Sequence, residues 1–275
     1  MTRRQLIKRA AATTVVAGGI YPFLEAKWVR LTRQVVAIPQ LPAAFDGTTV
    51  AYLSDVHHGP FVPRAYVRSV VAMTNSLRPD LVLLGGDYTH HGNRYVAPAH
   101  EDLSKLTGRL GRFAVLGNHD RWDGMDDAIA ALEAARTPLL RNTGAWIERG
   151  SSRLRIAGVG DLWTDKVDVA AAIGPEATED DAVILLSHNP DVAETAVDRR
   201  VGLMLSGHTH GGQVIVPGFG APIVPTAYGQ KYVHGLVQAP HCRVFVGRGI
   251  GTVTPPVRAF CRPEVVWITL TRSTS

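Results

Sequence analysis

Six short polar clusters close apolar runs along this chain: Asp55-Val56-His57, Gly86-Asp87, Gly117-Asn118-His119-Asp120, Ser187-His188-Asn189, Gly207-His208-Thr209-His210 and Gly211-Gly212. Asp, Asn and His are common in loops, where their side chains turn or cap the backbone, so no single cluster carries weight. As an ordered set they offer carboxylate, imidazole and amide ligands with no cysteine among them. That donor set suits two divalent ions such as Mn, Fe or Zn rather than a thiolate-bound structural zinc. Two ions about 3.5–4 Å apart need a carboxylate between them, presented from one rigid position. Asp87, carried after Leu83-Leu84-Gly85-Gly86, is the candidate bridge, because glycine lets the backbone approach closely. Asp55 and His57 are two residues apart, so in a strand-like segment both side chains leave on one face and grip one ion. His208 and His210 repeat that spacing, each able to serve a different ion, with Gly207 and Gly211 permitting the turn.

Elements must hold these clusters in place. Apolar runs of strand length occupy residues 48–53, 81–84, 113–116, 154–159, 182–186 and 203–205. Helical patterns lie between several of them, at 65–77, 125–135 and 191–197, the last with Pro190 at its start. Continuous rather than alternating apolar strands predict a sheet covered on both faces, whose ligand sites lie at the strands' carboxyl ends. The clusters sit there. After Gly212 the texture changes to strands at 214–216, 232–237, 244–246 and 265–270 joined by Gly and Pro turns, predicting a second, more antiparallel sheet. The expected fold is a layered α/β sandwich of two sheets with helices outside.

The chain has 275 residues, 45% of them hydrophobic, enough for one large α/β domain and too apolar for disorder. Its formal charge of +5 is unevenly placed. Arg3, Arg4, Lys8, Arg9, Lys27, Arg30 and Arg33 face only Glu25 in residues 1–33, which leaves 22 basic and 23 acidic side chains in the remainder. The body therefore has no basic excess to hold a phosphate backbone, and no nucleic-acid partner is expected. The start, Thr2-Arg3-Arg4-Gln5-Leu6-Ile7-Lys8-Arg9 followed by a mildly apolar 10–24, resembles a twin-arginine export signal. Residues 10–24 are shorter than the roughly 20 that comfortably span a bilayer, and no Ala-x-Ala cleavage site follows. Residues 1–33 are thus expected to be a twin-arginine signal or a membrane tether, ahead of one catalytic domain over 45–272. The expected location is periplasmic, at the cell surface or on the membrane, with the twin-arginine translocation machinery and a membrane surface as partners. Cys242 and Cys261 match no zinc motif and read as two separate buried thiols rather than a pair.

In order and spacing, Asp55-Val56-His57, Gly86-Asp87, Gly117-Asn118-His119-Asp120, His188 and Gly207-His208-Thr209-His210 resemble the calcineurin-like metallophosphoesterase superfamily, over residues 48–216. The resemblance implies that superfamily's sandwich of two mixed β-sheets flanked by helices. It also implies one metal on Asp55, His57, Asp87 and His210, and a second on Asp87, Asn118, His188 and His208. His119 would then be the histidine that binds no metal, touches the phosphate and protonates the leaving group, with Asp120 orienting it. Gly160-Asp161-Leu162-Trp163, Gly247-Arg248-Gly249-Ile250-Gly251 and Arg262-Pro263-Glu264 resemble a narrower branch, exported or membrane-associated bacterial phosphodiesterases. Substrates linked to members of that branch, and so implied by the resemblance, are phosphodiesters and the pyrophosphate bond of a diacylated UDP-glucosamine lipid precursor. The implied activity is metal-dependent phosphodiester or pyrophosphate hydrolysis on a lipid-linked (glycolipid or phospholipid) or nucleotide substrate. A phosphomonoesterase with the same ions and a noncatalytic binding module are the alternatives.

Residues near the clusters also have plainer readings. His58 points away from His57 if the segment is a strand, and His90 and His91 either line the pocket or are merely exposed. Asp161 reads as a turn residue outside the metal set. Arg121 and Arg248 are candidates for phosphate or for structural ion pairs. Tyr228 and Tyr232 read as packing residues, and Phe61, between Pro60 and Pro63, as an apolar lip.

Overall fold

The computed structural model describes residues 19–195 and 197–273. Eleven strands form two sheets. The first sheet contains β1 (Arg30–Ile38), β2 (Thr49–Leu53), β3 (Leu81–Leu84), β4 (Gly111–Ala114) and β11 (Glu264–Arg272), in the order β1-β11-β2-β3-β4. The second contains β5 (Thr143–Arg149), β6 (Ser152–Gly158), β7 (Val183–Leu186), β8 (Val201–Ser206), β9 (Gly235–Gln238) and β10 (Arg243–Val246), in the order β5-β6-β7-β8-β10-β9. In the first sheet only the β11–β2 pairing is antiparallel. In the second the two outer pairings are antiparallel and the three inner ones parallel.

The side-chain period of two explains why the strands are apolar on both faces. Val50 and Tyr52 of β2, with Leu81 and Leu83 of β3, meet Ile156, Ile184, Leu186, Leu203 and Leu205 between the sheets. Ala51, Leu53, Val82 and Leu84 face outward onto helices α1 (Arg64–Ser76), α2 (Val96–Leu103) and α3 (Asn118–Ala134), through Val67, Val70, Leu103, Ala128 and Leu132. The outer face of the second sheet packs on α4 (Val169–Ile173) and on Val192 and Tyr232.

Four expectations change. The helix at 191–197 is a short 3-10 turn, Pro190–Glu194, with Pro190 at its start and the Asn189 side chain accepting from Asp191 N–H; residue 196 lies outside the described residues. Residues 214–216 form only the bridges Val214 to Ala259 and Val216 to Gly220. The C-terminal strands do not make a sheet of their own: β10 continues the second sheet parallel to β8, and β11 crosses to the first. The domain begins ahead of residue 45, because β1 pairs with β11 over nine residues and the buried Glu25 carboxylate accepts from the Phe260 and Cys261 amides. Residues 1–18, which carry the paired arginines, lie outside the described residues. Among the described residues no helix is long and apolar enough to cross a membrane. Cys242 and Cys261 are free buried thiols.

Ile268 in β11 is fully buried between the sheets. Ile268→Ala is expected to cost about 2–5 kcal/mol, read from the denaturant midpoint, because the rigid sheets cannot close on the cavity.

Candidate metal centre

β2 ends at Leu53 and β8 at Ser206, so Asp55, His57, His208 and His210 are not strand residues. Their convergence has another cause, a correction to the strand-spacing reading. Asp55 (φ 51°), His57 (47°), Asp87 (56°), His208 (69°) and His210 (53°) all hold left-handed backbone. Each costs a non-glycine residue on the order of 1–3 kcal/mol and persists only where the surroundings impose it. Here the surroundings are hydrogen bonds that extend past the strand ends. Asp55 N–H donates to Gly86 C=O at 2.9 Å, His57 N–H to Asp87 C=O at 3.0 Å, and Gly207 N–H to His188 C=O at 3.0 Å. Two glycines leave room: a Cβ on Gly117 would lie 2.2 Å from Asp87 Oδ1, and one on Gly207 would lie 2.3 Å from Asp55 Oδ2.

The expected ligands gather into two trios, Asp55, His57, His210 and Asp87, His188, His208, each with its ligand atoms within 4.8 Å of one another; His57, His90 and His119 form a third, less buried group within the same limit. Asp87 stands between the two trios. Its Oδ2 lies 3.5 Å from His57 Nε2 in one trio and 3.2 Å from His188 Nε2 in the other. His57 Nε2 and His210 Nε2 are 2.9 Å apart, two nitrogens that repel unless a proton or a cation lies between them. Asp55 Oδ2 and Asn118 Oδ1 are buried without hydrogen-bond partners. Such orphans each cost about 1–3 kcal/mol in a protein that offers them nothing else. Carboxylates, imidazoles and one neutral amide oxygen, buried and aimed together, fit a pair of divalent cations.

The protonation states agree with that fit. Burial holds His57 and His210 well below the ordinary histidine range, and burial with the His188 charge takes His208 to about 3. These rings keep the lone pairs a metal needs. Burial alone would pull His188 down and push Asp87 up, but their mutual charge and hydrogen bond reverse both, raising His188 and lowering Asp87. Burial pushes Asp55 up to about 6. A cation here competes with a proton on His188 and, below about pH 6, with one on Asp55.

α3 starts at Asn118, earlier than the expected residue 125, with an interruption at Gly124. Its first turn thus carries Asn118, His119 and Asp120. His119 N–H donates to Asp87 Oδ1 at 2.8 Å, which leaves Oδ2 to the trios. Asp120 does not orient the His119 ring. Its oxygens accept from the Asp87, Gly117 and Tyr88 amides, each at 2.8 Å, so it ties the Asp87 turn to the helix start. Burial, with the Asp87 charge next, pushes it up to about 7. The partner of the His119 ring is His90, whose Nδ1 is 3.0 Å from His119 Nδ1. One ring donates and the other accepts, so the protonation of the two Nδ1 atoms is linked, and the contact leaves His119 Nε2 free. No spacing rule pointed to His90 as that partner; its signal was its place three residues after Asp87.

The plainer readings mostly stand. His58 is buried with Nδ1 against Val62 C=O. Asp161 accepts from Trp163 N–H and Thr164 N–H, a turn that sets the Trp163 ring edge-on to His208 at 4.3 Å. Arg248 pairs with Glu264 and His234, and Arg121 reaches only Met125. Tyr232 is buried with its hydroxyl on Glu194. Asp87, Asn118, His119, His208 and His210 open onto a cleft of about 460 Å³ whose other walls include Trp122, Trp163, Ile223 and Val257.

The sequence pattern of the calcineurin-like phosphoesterase family matches residues 48–212. The chain belongs to that family. Among relatives of this phosphoesterase is Phosphodiesterase YaeI of Escherichia coli (strain K12), 33% identical over 98% of this chain and 99% of the relative. Another is the uncharacterized metallophosphoesterase YkuE of Bacillus subtilis (strain 168), 31% identical over 98% of each. A "Transmembrane protein with metallophosphoesterase domain" from Danio rerio is 31% identical over 86% of this chain and 56% of its own length. The chain is accordingly a hydrolase of phosphoester bonds, and its two trios fit that family's dinuclear divalent-metal site.

Two outcomes follow from the site. Gly117→Ala is expected to fold yet bind divalent metal about 10- to 100-fold more weakly, as for disturbed ligand support, measured by metal titration alongside circular dichroism. Divalent-metal affinity is expected to rise with pH, through about 6 as Asp55 loses its proton and on above the ordinary histidine range as His188 loses its own, because those protons compete with the cation; calorimetry in buffers of different ionisation enthalpy reads the released protons.

Proposed function

We propose that this phosphoesterase is a phosphodiesterase or pyrophosphatase whose substrate carries an apolar, lipid-linked portion. The observation that carries the proposal is Asp87 Oδ2, within 3.5 Å of a histidine in each trio and facing a cleft walled by Trp, Val, Ile and Pro. Asp55, His57, Asp87 and His210 would hold one cation, and Asp87, Asn118, His188 and His208 the other. When bound, such a pair polarises phosphoryl oxygens and makes a water nucleophilic near neutral pH. The protein supplies the rest. Asn118 gives a neutral oxygen, which limits the negative charge an anionic phosphate meets. His119 presents Nε2 to the cleft as the donor for the leaving oxygen, while His90 on Nδ1 holds the ring. A nucleotide or a diacylated sugar nucleotide has both the phosphoryl centre and an extended leaving side, and the apolar walls favour the acylated form.

Arg3-Arg4 followed by the apolar 10–24 supports export by the twin-arginine route, to the periplasm, cell surface or membrane. Arg3→Lys with Arg4→Lys is expected to retain the protein in the cytoplasm; normal delivery in fractionated cells would remove that reading.

After metal reconstitution, bis-p-nitrophenyl phosphate is expected to turn over faster than p-nitrophenyl phosphate, and the reverse order would favour a phosphomonoesterase. His119→Ala is expected to keep its metal and lose about 10²–10⁴ in turnover on diesters with poor leaving groups, the range for a lost acid. His90→Ala should show a smaller loss with the same leaving-group dependence, in kcat rather than KM, if it acts through His119.

A further inference from the structure

Exposed apolar side chains are ordinary singly, but contiguous ones mark a surface that is covered in use. One such surface runs along the rim of the cleft. The helical segment 19–25 exposes Phe23 and Leu24, and it is fixed to the rim by Arg258 N–H donating to Pro22 C=O, one residue from the lining Val257. The Tyr21 ring lies tilted against Phe260, centroids 6.1 Å apart. Beside Phe260, Ala259 pairs with the hairpin at 214–220, whose tip Phe219 is 87% exposed. Ile223, 80% exposed, continues from that tip into the cleft wall. On the other side Lys27 donates to Phe61 C=O, and Phe61 lies against His91.

The charge around this surface selects its occupant. The chain enters the surface at residue 19 from a segment, 1–18, with four basic residues and no acid. Lys27 lies over the Tyr66 ring and Arg262 over Trp28, aromatic and basic side chains paired at its border. Apolar tips rimmed by Trp, Tyr, Lys and Arg suit the boundary between acyl chains and anionic head groups. A second copy of the chain would bring like charges together.

We propose that this face docks on an anionic lipid bilayer, with the 216–223 tip and the 19–25 segment set at the head-group boundary and the cleft opening onto the membrane. The docking brings a lipid-linked phosphodiester to the site from the bilayer, and in that respect it rests on the substrate reading above.

The test uses the full chain with vesicles of phosphatidylglycerol and phosphatidylcholine, and a variant carrying Phe219→Asp and Phe260→Asp, neither of which lines the cleft. Wild type is expected to cosediment with the vesicles, with slowed amide exchange at 216–223 and 259–261. The variant is expected to partition about tenfold or more less, as burying two large apolar side chains implies, with unchanged melting temperature and unchanged turnover of bis-p-nitrophenyl phosphate. Equal partitioning of variant and wild type, no wild-type binding to the vesicles, or a wild-type dimer that the variant dissociates would overturn the proposal. Hydrolysis of a lipid phosphodiester in detergent micelles reports separately on the substrate: micellar cleavage without vesicle binding removes only the docking. Vesicle binding without cleavage removes only the lipid substrate.

Discussion

Everything at this site hangs on one carboxylate held still. Asp87 is buried, its backbone is left-handed, and its side chain must address two groups of imidazoles at once. A free side chain would choose one. Asp87 cannot, because Oδ1 accepts from the His119 amide at the start of α3 and its own N–H is held by Asp120. The buried Asp120 is thus a fastener. It joins the turn after β3 to the helix after β4, so the two parallel strands deliver a ligand and a helix start to the same point.

The strain in the ligand loops is distributed over both sheets. β2 and β3 of the first sheet present Asp55, His57 and Asp87; β7 and β8 of the second present His188, His208 and His210. The interlayer packing of Tyr52, Leu83, Leu186 and Leu205 therefore sets the distance between the two halves of the metal centre. Sandwich packing and metal geometry are one problem here, since close-packed interiors transmit small changes rather than absorb them.

The strands, the layers and the ligand types were legible in the sequence because short apolar runs that end in Gly, Asp and His fit strands feeding a polar site and little else. How the ligands converge was not legible. Alternation along a strand suggested that Asp55 with His57, and His208 with His210, share a face, whereas the structure brings them together by left-handed turns beyond the strand ends. That conformation is fixed by hydrogen bonds to residues about 30 and 20 positions away, which no local pattern encodes. The roles of Asp120 and His90 were hidden for the same reason. A carboxylate beside a histidine in sequence invites a pairing, but the side chain's partners were three backbone amides, and the histidine's partner lay after a different strand. The boundary at residue 45 also misplaced β1, whose mixed composition reads weakly until its nine-residue register with β11 is seen.

β11 lies between β1 and β2, so the strand that leads to the first metal ligands has β3 on one side and gains its other neighbour from residues 264–272. Arg248 and Gly249, beside Asp55, are likewise tied to Glu264. The Asp55 loop is therefore held from two distant parts of the sequence, Gly86 and Asp87 after β3 and the Gly249–Glu264 contact near β11. The C-terminal strand is in this way part of the frame of the metal centre although it contributes no ligand to it.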